Sequence, residues 1–503
     1  MDQKELKTFI SSLRGHFAIL FISSNRTLIV IDRIGSSQIN YLKQNNHILI
    51  SPNLNKLKRE LKSTLDRDER ATLEINMGGF TIGKKRIYPI IKTPLAGQYV
   101  LFENDLIHTN KYFSYFGDLN TNYSKESLIE ELSDITLSIF KKTLSQVGDK
   151  QIVIPLSAGN DSRLVASCLK FLGAKNVLCY SYGNRKSFEV NTAKKIASKL
   201  GYKWHFISLN HFDEKKFYKS NIFVNYLKFA ESNNALQYFQ GLSSIYYLKA
   251  KGIIEDNAVF INGNSGDFIS GMHINSIYEK VNDNKLSKSE LKDVLKSCYV
   301  NKHFSLWGNL KTKKNINDIY DSIEDSIENY KHKINKDNIH LIYEFLELND
   351  RQSKYVIAGQ KTFEYFNHDW LLPLWDDEYL FFWKKIAIQY KYKQTLYSEM
   401  LLKNNWGYVW SDDIPINKKN ISSNLLKIVR FLFKLPFGVF GSYGKNEWKN
   451  FDKVFFYYWR DDTQMMKTES YFKVIKSYFR RPRNHVSFQA DSYLNDSNEN
   501  SFN

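Results

Sequence analysis

No run of eighteen or more apolar residues occurs in this 503-residue chain, so no segment reads as a membrane-spanning helix. The opening residues MDQKELKTFISSLRGHFAILF lack the small-residue cleavage site of a secretory signal, and the expected compartment is cytoplasmic. Cysteine is scarce. Cys168, Cys179 and Cys298 stand apart with no CxxC pair, which indicates neither a disulfide framework nor a zinc site and leaves them as buried apolar residues. Acidic residues are in deficit, 53 against 71 Lys and Arg, for a net charge of +18. That balance raises nucleic acid or an anionic membrane surface as partners. The lysines are scattered among many Asn, Ile, Tyr and Phe residues, however, and the sequence carries no recognised nucleic-acid module. The charge is therefore read as mostly solvated surface, with acidic ligands as a secondary use and nucleic acid not expected.

What is present is an ordinary globular composition, 43% hydrophobic and 25% charged, in a chain long enough for two or three domains with real cores. The chain is organised around residues 151–172, QIVIPLSAGNDSRLVASCLKFL. Residues 152–156 are apolar, rich in β-branched types and end at once in turn residues, which marks a buried parallel strand. Small hydrogen-bonding residues follow at 157–162, then Leu164, Val165, Cys168, Leu169 and Leu172 at helical spacing, with Asp161 or Ser162 suited to the helix N-cap. Strand, small-residue loop and helix start make an anion site, because backbone N–H groups without intrahelical partners converge there. No Gly-Lys-Ser/Thr follows this loop, so it is not a Walker A sequence and kinase or GTPase chemistry is disfavoured.

Elsewhere, residues 14–54 alternate β-type runs with turns, and residues 97–102 with Asn104-Asp105 predict a hairpin. Residues 125–147 carry apolar positions 128, 132, 135, 139 and 144 on one helical face. Strands at 177–182 and 204–209 flank a helix at 189–200. Strands alternating with helices imply an α/β fold with a parallel sheet covered by helices on both faces and ligand at the carboxyl ends of the strands. A second strand-to-turn segment, VFINGNSGDFISG at 259–271, carries one acid, Asp267, among glycines. One carboxylate from each turn, Asp161 and Asp267, suits Mg²⁺, a hard ion that binds few protein oxygens and completes its shell with water and phosphate. Residues 286–330 read as a lysine-rich helical cap, and 341–366 as a longer helical region. Residues 425–440 form a basic apolar helix broken at Pro436. Packing on the domain is the expected outcome and contact with a membrane surface the alternative. From His485 the chain turns polar and is expected to be a disordered tail.

The loop Ser157, Gly159, Asp161, Ser162 resembles the Ser-Gly-Gly-x-Asp-Ser pyrophosphate loop of the ATP-pyrophosphatases, with Ala158 in a glycine place. Gly15-His16-Phe17-Ala18, Asp32-Arg33-Ile34-Gly35 and Pro94-Leu95-Ala96-Gly97-Gln98-Tyr99 look like the later part of the glutaminase domain of the asparagine synthetase family. The segment around Asp267 is similar to that family's Ser-Gly-Glu-Gly-x-Asp-Glu, with Asn264 and Phe268 where it has glutamates. Pro373-Leu374-Trp375-Asp376 and Lys393-Gln394-Thr395-Leu396 resemble its Pro-Phe-Leu-Asp and Lys-x-x-Leu segments.

The resemblance, over about residues 14–405, implies an ATP-pyrophosphatase domain (adenine nucleotide alpha hydrolase-like) at 121–415. A truncated β-rich domain at 1–120 would precede it and a basic helical extension at 416–503 would follow. It implies an ATP- and Mg²⁺-dependent amide-forming ligase, which adenylates a carboxylate and passes it to ammonia or an amine. Ser157, Gly159, Asp161 and Ser162 would hold pyrophosphate, and strand-end backbone at Leu156 and Ser181 the nucleotide. Asp161 and Asp267 would bind Mg²⁺, while Lys393, with Lys391 as fallback, would stabilise charge on the leaving group. The family's glutaminase uses a cysteine at residue two, where this chain has Asp2, so ammonia from glutamine would need a separate glutaminase. Divergent relatives point to sugar acids of surface polysaccharides as substrates. A tRNA-modifying ATP-pyrophosphatase and a non-catalytic scaffold are the alternatives.

Overall fold

The computed structural model describes residues 3–44, 47–61, 65–117, 119, 123–282, 285–416, 424–459 and 464–499. The alternating runs near its start fold as antiparallel strands: β1 (Ala18–Ile22), β2 (Arg26–Ile31), β3 (Asn40–Gln44), β4 (His47–Ser51), β5 (Gln98–Glu103) and β6 (Leu106–Lys111). They form one sheet in the order β1-β2-β5-β6 and a separate β3-β4 hairpin. Asn104 and Asp105 turn the β5-β6 hairpin at φ of 49° and 59°, the geometry a two-residue turn demands.

The Asp32-Arg33-Ile34-Gly35 segment is a buried turn. Asp32 Oδ1 accepts from the Ile34 and Ser36 N–H groups at 3.0 Å, and its Oδ2 from Phe17 N–H at 2.8 Å. Arg33 reaches across to Asp377 at 3.0 Å, both side chains nearly fully buried, and so fastens the β-rich region to the helix Asp377–Trp383, which comes just after the last of the strands that follow.

Those strands are the apolar runs β7 (Ile152–Pro155), β8 (Val177–Tyr182), β9 (Lys203–Ile207), β10 (Val259–Ile261) and β11 (Asp369–Leu371). All four pairings between them are parallel, in the order β11-β10-β7-β8-β9. Both faces are covered, which is why the strands read as continuous apolar runs. Ile152, Ile154, Val177, Cys179, Val259 and Ile261 enter one core, with the helices Lys125–Val147, Asn160–Phe171, Phe188–Leu200 and Thr395–Asn404. The alternate residues Val153, Leu178, Tyr180 and Phe260 enter the other, beneath the helix Leu242–Ala250. β7 is central: the chain builds outward from it through β8 and β9 on one side, then through β10 and β11 on the other. The order therefore reverses between β7 and β10, the position at whose carboxyl ends open parallel sheets commonly bind ligands.

The lysine-rich stretch is helical, Lys288–His303 and Lys313–Ser326, and packs with Ile339–Glu347 around Ile319, Leu295 and Ile342. One further core joins residues from the beginning, middle and end of the chain, among them Leu42, Ile75, Trp307, Val454 and Phe488.

Two expectations about the end of the chain are corrected. The tail from His485 is a helix, His485–Glu499, whose Phe488, Ala490 and Tyr493 bury against that core. The Tyr493 hydroxyl donates to the Ser232 carbonyl at 2.8 Å. Its few apolar residues fall where they meet one surface, and polar composition elsewhere does not prevent that; the last residues, 500–503, lie outside the described residues. The basic apolar helix, Asn424–Gly438, continues through Pro436, and none of its described side chains at 426–438 is buried. Proline in this last turn removes only a hydrogen bond near the helix end.

Candidate functional site

The turn after β7 leads straight into the helix Asn160–Phe171, whose N-cap is Gly159 rather than Asp161 or Ser162. Those two lie in the first turn. Ser162 Oγ accepts the Ser157 N–H at 3.0 Å and lies 2.9 Å from Ser157 Oγ, which in turn accepts the Gly159 N–H at 3.2 Å. Arg163, fully buried, donates to the Ala158 carbonyl at 3.0 Å and to Val409 and Ile414 carbonyls at 3.1 and 2.9 Å. Ala158 is not among the residues of positive φ, so the missing glycine costs nothing there.

Gly159 is different. Its φ of −73° suits any residue, and an added Cβ would meet only Ser157 Oγ, at 3.4 Å. Nothing in the protein's own packing calls for glycine. A group approaching the backbone from outside would.

The turn after β10 interlocks with this loop. A Cβ on Gly263 would fall 2.6 Å from the Asp161 backbone carbon, and one on Gly266 2.5 Å from Asp161 Cγ. The Asp161 carboxylate accepts the Asp267 N–H through Oδ2 at 3.0 Å and the Tyr397 hydroxyl through Oδ1 at 3.1 Å. Burial, and then the Asp161 charge, push the Tyr397 phenol well above its ordinary pKa, so it remains a donor. Ser265 occupies the second glycine place of the resembling pattern and keeps a glycine's conformation, φ 64°, held by its hydroxyl on Gln352 Oε1 at 2.7 Å.

The Asp267 carboxylate is half exposed and meets His273 Nε2 at 3.3 Å. Burial raises its pKa, but the His273 hydrogen bond and charge, with Arg351, outweigh that and leave it below the ordinary value. Asn264 presents a neutral amide, and Phe268 is fully buried, stacked on Trp375 at 5.7 Å. Among the described residues no group of three or more His, Cys, Asp or Glu forms a closed metal cage. Both Asp161 oxygens accept donors of the protein and Asp267 Oδ1 accepts the Phe268 N–H at 2.9 Å, so a Mg²⁺ held by these two carboxylates would share their oxygens with those donors and take the rest from phosphate and water.

The third segment closes over the second turn. Lys391 is fully buried and paired with Glu344 at 2.6 Å, which removes it as a phosphate ligand and corrects its place as the fallback. Burial pushes the Glu344 carboxyl up to about 7 against the pull of Lys391, and lowers the lysine. Lys393 is exposed, its ammonium over the ring of its own neighbour Tyr392 at 4.9 Å. Lys393 and Gln394 are consecutive non-glycine residues in the left-handed region, φ 52° and 60°. Such residues cost about 1–3 kcal/mol each and persist only where surroundings impose them. Here Lys393 N–H donates to Asn275 Oδ1 at 2.8 Å, Gln394 Nε2 donates to Ser270 Oγ at 2.5 Å, and the Lys391 carbonyl abuts Gly271. The helix Thr395–Asn404 starts at once and carries Tyr397 to Asp161.

Leu156 and Ser181 also come together: Ser181 Oγ donates to the Leu156 carbonyl at 2.7 Å and accepts from Trp204 Nε1 at 3.2 Å. Both sit at the ends of neighbouring strands, beside the loop.

Sequence reasoning missed a buried polar chain behind Asp267. His273 Nδ1 meets Glu347 Oε1 at 2.5 Å, and His303 Nε2 meets Glu347 Oε2 at 3.2 Å. Gln352 Nε2 donates to the same carboxylate at 3.0 Å and joins it to Ser265. Burial raises the Glu347 pKa, yet the charges of His273, His303 and Lys302 outweigh it and hold the carboxyl well below its ordinary value. Arg351 and Gln352 lie in a π-helical stretch, Leu348–Val356, a winding that recurs at functional sites. The available signal was Glu344 and Glu347 inside the mostly apolar IHLIYEFLE, since buried carboxylates require partners. Compared with known proteins, the chain matches no family model and no curated protein.

Proposed function

We propose that this protein is an ATP-dependent ligase that adenylates a carboxylate and passes the acyl group to ammonia or an amine. The observation that carries the proposal is the interlock of the Asp161 and Asp267 turns at the point where the strand order reverses, with Gly159 leaving open backbone beside them. Bound MgATP would supply the α-phosphorus that the carboxylate attacks and the pyrophosphate that leaves. Ser157 and Ser162 would present hydroxyls to pyrophosphate, and Gly159 would let it approach the loop backbone closely, displacing the bonds these groups make to one another. Asp161 and Asp267 would hold the metal, and Lys393 would turn from Tyr392 to meet charge on the leaving group. Asn264 cannot serve as a general base, so the amine would arrive unprotonated or lose its proton elsewhere.

Pyrophosphate release from MgATP, measured with a panel of carboxylates that includes aspartate and uronic acids, tests this reading. Release that depends on one carboxylate and disappears in Asp161→Ala supports adenylation. A second reading, a scaffold without chemistry, is favoured by the engagement of both Asp161 oxygens within the protein and by the buried Phe268. No release with any carboxylate, together with no heat of ATP binding, would leave that reading.

A further inference from the structure

The helix Asn424–Gly438 has two opposed faces. Arg430, Phe433 and Phe437 turn towards the helix Gly441–Phe455. Arg430 pairs with Asp452 at 2.7 and 2.6 Å, Phe433 stacks on Phe451 at 6.1 Å, and Phe437 meets Trp448 at 5.6 Å. On the opposite side Ile428, Phe431, Leu432, Leu435 and Val439 recur at helical spacing, and each is 54–83% exposed. Phe440 in the turn between the helices and Tyr443 in the first turn of the second helix are also mostly exposed. An isolated exposed apolar residue is ordinary, but a contiguous stripe of large ones marks a surface that is covered in use.

We infer that this stripe seats the protein on an anionic lipid surface. The helix sequence NLLKIVRFLFKLPFG has no acidic residue, and exposed Lys427 and Lys434 lie together beside the stripe. Their alkyl stems reach along apolar surface while the ammonium groups meet lipid phosphate. No helix among the described residues is long and apolar enough to cross a membrane, and this one, at about 22 Å for 15 residues, lies in the interface with its apolar face down. A net charge of +18 over the chain adds long-range attraction to an anionic surface. A second copy is the poorer occupant. A two-fold contact through the stripe would bring lysines of the two copies together, with no carboxylate on the helix to pair them.

Flotation of the full chain with vesicles tests the inference. With equimolar phosphatidylglycerol and phosphatidylcholine the protein is expected to float, and with phosphatidylcholine alone to stay in solution. The triple variant Phe431→Ser, Leu432→Ser, Leu435→Ser should lose binding by at least about tenfold with little change in melting temperature, since these residues are more than half exposed. Lys427→Gln with Lys434→Gln should weaken binding to the anionic vesicles by about tenfold, and added salt should act likewise. Failure to float with either vesicle, or equal flotation of the triple variant, would overturn the inference. Self-association in sedimentation that the triple variant abolishes, without vesicle binding, would assign the stripe to a second copy instead.

Discussion

The Asp161 carboxylate accepts the backbone N–H of Asp267 at 3.0 Å, so two turns 106 residues apart share one hydrogen bond at the centre of the candidate site. The same carboxylate takes the Tyr397 hydroxyl. Asp161 is thus structural in any case, and its catalytic use must be tested with that in mind. Asp161→Ala should lower stability by about 1–3 kcal/mol, because it strands both donors, and should abolish pyrophosphate release. Tyr397→Phe removes one of the two bonds and should cost about 1 kcal/mol while release survives. Chemical denaturation and the release assay, run on both variants, separate the roles.

Glycines 159 and 266 should respond in opposite ways to alanine. At Gly266 the new Cβ falls 2.5 Å from Asp161 Cγ, so Gly266→Ala should destabilise by about 1–3 kcal/mol and displace the carboxylate. At Gly159 the backbone is already extended and the space free, so Gly159→Ala should leave stability unchanged or raise it by about 0.4–1 kcal/mol. If a phosphate sits against that backbone, the methyl blocks it. Calorimetric titration with MgATP should then show wild-type stability and lost binding.

The two lysines of the third segment divide in the same manner. Lys391→Ala leaves Glu344 buried without its partner and should cost about 3–5 kcal/mol. Lys393→Gly relieves a residue at φ 52° and should stabilise by about 1 kcal/mol, yet reduce pyrophosphate release if its ammonium meets the leaving group. Equal activity in Lys393→Gly would remove this lysine from the proposed chemistry.

Acid should unfold the protein through its buried histidines. Burial pushes His303 and His485 down to about 4 and His340 to about 3, from an ordinary value of 6.5. The unfolded chain therefore binds protons that the folded chain refuses, and stability falls as pH drops from about 6.5 to about 4. The share of His303 is on the order of 3 kcal/mol. Urea melts across that range should show the slope, and His303→Gln should flatten it by one proton.

Much of this fold was legible because its signals are local. A parallel sheet buried on both faces needs uninterrupted apolar runs, and those at 152–156, 177–182 and 259–261 stood out as such. Ala158 in a glycine place requires only a φ that is not positive, which the loop satisfies. The Gly159 cap was not legible, since Asp161 and Ser162 are better cap residues by type, and it is the distant Asp267 N–H and the Ser157 N–H within the loop that turn them to other partners. The helix at 485–499 was misread because a handful of apolar residues is enough when a complementary surface exists, and composition does not report that surface.

By itself, then, the sequence determined the alternation of strand and helix, the small-residue turns after β7 and β10, and the placing of one acid in each. Period and residue type encode these within a few positions. Tertiary structure alone decided that β10 returns to the far side of β7, which sets Asp161 against Asp267. It also decided that Lys391 is spent on Glu344 while Lys393 stays exposed, that Glu347 gathers His273 and His303, and that the apolar stripe at 428–439 goes uncovered. Each of these depends on which distant surfaces meet, a matter of strand order and packing that no local pattern carries.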